Sequence, residues 1–144
     1  MDEDETERGG STARTPEQTI AAYFDGINEE RYGDVAALFA PDGRLLAPGT
    51  APRVGGDAIA TYFAAALKPY PVHHDGPTRA IHAGRTVTVE ITFTGALASG
   101  APLTFDAVDV FDLDADGRIV KLSSWYDSHD VRKRLRAARE AAAC

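Results

Sequence analysis

Cysteine is nearly absent: the only one among 144 residues is Cys144, at the last position. That excludes an internal disulfide and a cysteine-based metal cluster. No apolar run reaches the ~20 residues of a membrane-crossing helix. The leading residues, MDEDETERGG, are acidic where a secretory leader is basic and then apolar. A soluble, cytoplasmic protein is therefore expected. Positive charge is also scarce, since 15 Lys and Arg against 22 Asp and Glu leave a net charge of −7. This balance argues against a nucleic-acid partner, which needs a basic face to neutralise phosphates. Charge collects at the two ends, acidic at Asp2, Glu3, Asp4, Glu5 and Glu7, and basic at Arg132, Lys133, Arg134, Arg136 and Arg139. Both clusters read as solvated ends.

The chain has the length of one domain, enough to bury a core without staples. Residues 1–14 lack apolar periodicity and are expected to be a disordered acidic tail, with the folded domain over 15–130 and a basic, partly helical tail over 131–144. Thr15, Pro16 and Gln18 form a capping box with proline at the first helical position. Ile20, Tyr23, Phe24 and Ile27 then recur at helical spacing and predict a helix over 16–28. A second helix is expected over 31–40, carrying Val35, Leu38 and Phe39 and stopping at Pro41. After the short apolar piece 44–47 the chain is broken by Pro48, Gly49, Pro52, Gly55 and Gly56. Asp57 is placed to cap a third helix with the stripe Ile59, Tyr62, Phe63, Ala66 and Leu67.

Periodicity then changes from helical to alternating. Strands are predicted over 77–81 and, with near-strict alternation, over 85–94. Residues 105–127, FDAVDVFDLDADGRIVKLSSWYD, form a long hairpin around the turn DADG. Its odd positions put Phe105, Ala107, Asp109, Phe111 and Leu113 on one face, one carboxylate among hydrocarbons. Such a group must find a partner or take up a proton. The turn itself spells D-x-D-x-D-G through Asp112, Asp114, Asp116 and Gly117. A calcium loop would need a bidentate Glu where Ser123 stands and helices where strands stand, so a hairpin turn explains the same letters and no metal is expected. Adjacent His73 and His74 lack the spaced third and fourth ligands of a metal site. Either could serve as a base, and only one of them can face a pocket. His82 and His129 are expected at the surface. Helices followed by meandering strands predict an α+β domain, helices packed on a curved antiparallel sheet around a pocket.

The element order, with GPTRAIHAG before the long strand and FDAVDVFDLDADGRI after it, resembles the ketosteroid isomerase-like branch of the nuclear transport factor 2 superfamily, which includes SnoaL-like cyclases. The likeness covers residues 16–130. It implies a cone-shaped α+β barrel, a curved antiparallel sheet wrapped around N-terminal helices. It also implies a homodimer paired through the outer sheet face, and a pocket for an apolar small molecule without a cofactor. Carried over position by position, Asp109 falls on the family's protonated oxyanion-hole aspartate and Tyr23 on its oxyanion-hole tyrosine, an arrangement that is a standard illustration of a carboxylic acid kept neutral by an apolar site. The family's catalytic base position is occupied by Ala47, so the isomerase's proton shuttle has no base there. Phe63, with Tyr62 beside it, stands at the family's third tyrosine. The resemblance implies a pocket lined by Phe39, Ala47, Tyr62, Phe63, Phe105, Phe111 and Tyr126, with Trp125 turned outward.

Replacement acids or bases are Asp127, at the spacing where cyclase and epoxide hydrolase members carry an acid, and His73 or His74. Asp127 followed by Ser128 also reads as a helix cap or as a partner of Arg132. The expected function is a cofactor-independent cyclase or isomerase acting on an apolar carbonyl or enone compound of polyketide or steroid type. Two alternatives remain: a non-catalytic ligand-binding or dimeric interaction module, and an epoxide hydrolase of the limonene epoxide hydrolase type. The hydrolase would need an Arg-x-Asp pair where the strand reads TVTVEITF.

Overall fold

The computed structural model describes residues 13–143; the acidic head expected to be disordered lies almost entirely outside the described residues. Helix α1 (Pro16–Asn28) begins at the expected capping box: Thr15 accepts from the Gln18 N–H and the Gln18 side chain accepts from the Thr15 N–H. Two otherwise orphaned N–H groups are thus satisfied. Its apolar stripe buries Tyr23, Phe24 and Ile27. Gly26 lets the next helix come close, since a Cβ there would lie 2.6 Å from the Val35 side chain.

That next helix, α2, spans only Tyr32–Ala36, shorter than expected. Strand β1 (Phe39–Leu46) takes over where the sequence predicts continuing helix. The expectation fails because pairing with a distant strand outweighs local propensity. Pro41 and Gly43 lie in the register break between Phe39 and Arg44, where a missing N–H costs no ladder bond. After the two-residue strand β2 (Arg53–Val54), helix α3 (Gly56–Leu67) starts at Gly55 rather than at Asp57, which sits in its first turn.

Strands β3 (Val72–Ala83), β4 (Thr86–Ala96), β5 (Pro102–Leu113) and β6 (Ile119–Trp125) complete one sheet of order β2-β1-β6-β5-β4-β3. All neighbours are antiparallel except β1 and β6. The sheet is curved but does not close, with β2 and β3 at its edges. Strand β3 is longer than the predicted 77–81: residues 72–77 pair in continuous register with β4, and the register shifts only between Pro77 and Arg79. One sheet face carries Val87, Val89, Ile91, Phe93, Phe111, Leu113 and Leu122 into the core against the helices. The other face carries Thr88, Glu90 and Thr92, with Glu90 paired to Arg79 at 2.7 Å.

The hairpin turn behaves as a turn. Asp114 accepts from the N–H groups of Asp116 and Arg118, and Arg118 pairs with both Asp114 and Asp116. Gly117 has φ 81°, and a Cβ there would run into the Arg14 carbonyl oxygen. Thr19 donates to the Gly117 carbonyl, tying α1 to this turn. The chain ends in α4 (Ser128–Ala143), where Leu135 packs on a second small cluster of Tyr70, Phe93 and Leu103. Among the described residues no helix is long and apolar enough to cross a membrane.

Candidate functional site

Between the concave sheet face and the helices lies a cavity of about 180 Å³. Helix α1 supplies Tyr23 and Ile27, and α3 supplies Tyr62, Phe63, Ala66 and Leu67. The sheet supplies Asp75 from β3, Ile91 and Phe93 from β4, Phe105, Ala107 and Asp109 from β5, and Ser124 from β6. Tyr70, Tyr126 and Val131 line it as well. The alternation of β5 is what brings Phe105, Ala107 and Asp109 to one wall. Stacked Phe93 and Phe105 rings, 4.9 Å apart, and the adjoining Tyr126 ring make that wall aromatic.

Asp109 is 4% exposed, opposite Val89 on one side and Ser124 on the other. Burial pushes its carboxyl up to about 7, opposed by the Ser124 hydrogen bond and reinforced by the charge of Asp75. The Ser124 hydroxyl donates to Asp109 Oδ1 at 2.7 Å, leaving Oδ2 free to carry a proton. Tyr23 is buried against Phe24, Phe63 and Phe111 in edge-on contacts. Its hydroxyl is also pushed well up, first by burial and then by Asp109, so it stays a hydrogen-bond donor. Among the described residues the Tyr23 hydroxyl has no hydrogen-bond partner. Below pH about 7 the site therefore presents two protonated O–H groups, Tyr23 and Asp109, to a mostly apolar cavity.

A second carboxyl, Asp75, faces the same cavity. Burial raises it to about 6, tempered by the positive influence of His73 and then His74. Its backbone is clamped by Asn28 of α1, whose side chain donates to the Asp75 carbonyl at 3.0 Å and accepts from the Asp75 N–H at 2.8 Å. Sequence reasoning passes over Asp75 because it lies in the segment ahead of the strand predicted over 77–81, where nothing marks its side chain as buried. The one available signal is alternation: if that segment is extended, Asp75 shares a face with His73 and Pro77.

Of the residues expected in the pocket, Tyr23, Asp109, Tyr62, Phe63, Phe105 and Tyr126 line the cavity, and Trp125 is 63% exposed on the other side. Phe111 and Phe39 are buried in the core and do not line it, the first lying behind Tyr23. Ala47, just past the end of β1, does not line it either. Asp127 is exposed and bonds the Asp130 N–H at 3.0 Å, which is the capping geometry of α4. His74 is exposed and borders a separate groove beneath α1, while His73 turns its Nε2 to Glu30 at 2.8 Å. His82 and His129 are exposed.

A family model described as the SnoaL-like domain matches residues 20–122. No curated protein matches the chain in sequence. Among solved structures, a protein of ketosteroid isomerase-like fold from Catenulispora acidiphila, in complex with trimethylamine, is 21% identical with a TM-score of 0.72, covering 81% of this chain and 90% of its own. A candidate polyketide cyclase from Sinorhizobium meliloti is 26% identical with a TM-score of 0.64, covering 75% of this chain and 94% of its own. An LEH-like epoxide hydrolase of M. tuberculosis is 22% identical with a TM-score of 0.70, covering 86% of this chain and 91% of its own.

Proposed function

The chain belongs to the SnoaL-like domain family, and on that premise we propose that its cavity is the active site of a cofactor-independent cyclase or isomerase. The substrate is an apolar carbonyl or enone compound. The observation that carries this reading is Asp109: a buried carboxyl pushed up to about 7, backed by Ser124 and opening beside Tyr23 onto aromatic walls. Both groups donate to the carbonyl oxygen. Charge that develops there on enolisation strengthens both hydrogen bonds, which is preferential binding of the transition state. The enclosed volume of about 180 Å³ compares with the ~150 Å³ cavity that takes up benzene. A cavity of that size accepts a one- or two-ring portion of a substrate. A homodimer through the outer sheet face belongs to the same reading, supported by the exposed Trp125 (63%) and Ile81 (49%).

The test is binding of 2-naphthol, whose phenolic oxygen mimics an enolate, followed by its fluorescence. Tyr23→Phe and Asp109→Leu are each expected to weaken binding about tenfold or more, the loss of one strong hydrogen bond. Equal binding by wild type and both variants refutes the reading. Two raised carboxyls in one cavity, Asp75 and Asp109, also favour an epoxide hydrolase as the second reading. Its signature is labelled water oxygen in a diol product, and none forming from a panel of small epoxides removes it.

A further inference from the structure

We propose that Asp75 is the catalytic base of this cavity, taking over from the opposite edge of the sheet the task for which position 47 offers only an alanine. This rests on the reading of Tyr23 and Asp109 as oxyanion donors. The geometry is that of a base across from its donors. Asp75 pairs with Phe93 of β4, which pairs with Phe105 of β5, so Asp75 stands at the Phe93–Phe105 end of the concave wall. Asp109 stands at the Val89–Ser124 end of the same wall, beneath Tyr23. A carbonyl held by Tyr23 and Asp109 therefore extends its neighbouring carbon along the wall towards Asp75.

The side chain of Asp75 is left free for this work. Among the described residues its carboxyl makes no hydrogen bond and no ion pair, although a carboxylate in such a place ordinarily requires one. The backbone, by contrast, is held at both N–H and carbonyl by Asn28. A fixed backbone with an unpaired carboxyl opening on an apolar cavity is the arrangement a proton acceptor needs. The groups facing it set its charge. On its own strand His73, paired to Glu30, and His74 favour the ionised form. Tyr23 from α1 and Tyr32 from α2 remain neutral phenols beside it, and Asp109 from β5, the more deeply buried carboxyl, keeps the proton.

The step balances without a co-reactant. The C–H bond next to the substrate carbonyl breaks, its hydrogen leaves as a proton to an Asp75 oxygen, and the electron pair moves onto the carbonyl oxygen held by Tyr23 and Asp109. Return of the proton to a different carbon gives isomerisation. Attack of the enolate carbon on a second carbonyl of the same substrate forms a C–C bond and closes a ring, the new alkoxide taking up the proton.

The test uses 1-tetralone, a two-ring ketone, and follows deuterium uptake at its C2 in D2O by NMR, with 2-naphthol binding measured on the same samples. Wild type is expected to exchange one of the two C2 hydrogens ahead of the other. Asp75→Asn and Asp75→Ala are expected to exchange about 10²-fold more slowly or worse, while 2-naphthol binding stays within threefold. Asp75→Glu restores part of the rate. Asp75 variants that bind 2-naphthol and exchange at the wild-type rate overturn the assignment and leave the donor reading intact. A wild-type protein that binds 2-naphthol but promotes no exchange also overturns it. Failure of the wild type to bind 2-naphthol removes the donor reading, and the assignment of Asp75 falls with it.

Discussion

Asp109 and Asp114 lie on the same hairpin, and their surroundings drive their carboxyls in opposite directions. Asp109 is walled in by Val89, Phe111 and the cavity aromatics; burial raises it to about 7 against a single hydroxyl donor. At Asp114 slight burial is outweighed by the N–H groups of Arg118 and Asp116 together with the Arg118 guanidinium, and the carboxyl is lowered. The same functional group has its proton held more tightly in one place and more loosely in the other. Solvent access and the number of donors decide which. Asp75 falls between them, partly buried, without donors, and biased towards the anion by two histidines.

The largest effect that would break this contrast is on turnover. Asp109→Leu is expected to lower the rate by about 10²–10³-fold, the cost of one oxyanion donor, with Tyr23→Phe somewhat less damaging. Asp114→Ala leaves turnover within about twofold, since a surface change away from the site seldom reaches further. A steady-state comparison of the three variants on the same ketone checks the order. In the wild type the rate is expected to be bell-shaped in pH, rising as Asp75 ionises near 6 and falling as Asp109 ionises near 7. Loss of the acidic limb in Asp75→Asn separates the two groups.

The next effect is on stability. The folded-state value of Asp109, about 7, exceeds its ordinary 3.8. The native state therefore holds a proton that the unfolded chain gives up. The stability this contributes is complete below pH 3.8 and is lost as pH rises through about 7. Asp109→Asn, which keeps an acceptor for Ser124 and has no charge to desolvate, is expected to gain on wild type as pH rises. The gain reaches at most about 4 kcal/mol at pH 8, at 1.4 kcal/mol per unit. Thermal melts at pH 4 and pH 8 read it; a gap that does not widen with pH contradicts the burial argument.

Asp114→Ala should show the reverse dependence at smaller size. It removes turn hydrogen bonds to the anion, costing about 1 kcal/mol near neutral pH and less in acid. Smallest is Asp127→Ala, which deletes the α4 cap and costs about 0.5–1 kcal/mol, measured as an early melting phase of helicity by circular dichroism.

Much of this molecule can be read along the chain, because its local signals agree with the fold. The capping box at Thr15 does start a helix, the alternation of 105–113 does present Asp109 with Phe105 and Ala107, and DADG does make a turn. Where local signals conflict with distant pairing, the reading fails. Residues 39 and 40 fall in the expected second helix but belong to β1, where Phe39 pairs in parallel with Ile119 of β6, and residues 72–76, ahead of the predicted strand 77–81, run on as part of edge strand β3. Asp127 has the spacing of an acid and the position of a cap.

The sequence alone determined the change from helices to meandering strands, though not β1 and β2, and the inward face of β5, hence that one carboxyl would meet hydrocarbons. Only the tertiary structure decided which second carboxyl shares its cavity. Asp75 reaches it because β3 pairs antiparallel with β4 and Asn28 of α1 grips its backbone. Those contacts join residues far apart in the chain, and no local periodicity encodes them. Side-chain spacing is set by the backbone, but solvent exclusion, which gives Asp75 and Asp109 their properties, exists only once the walls have closed around them.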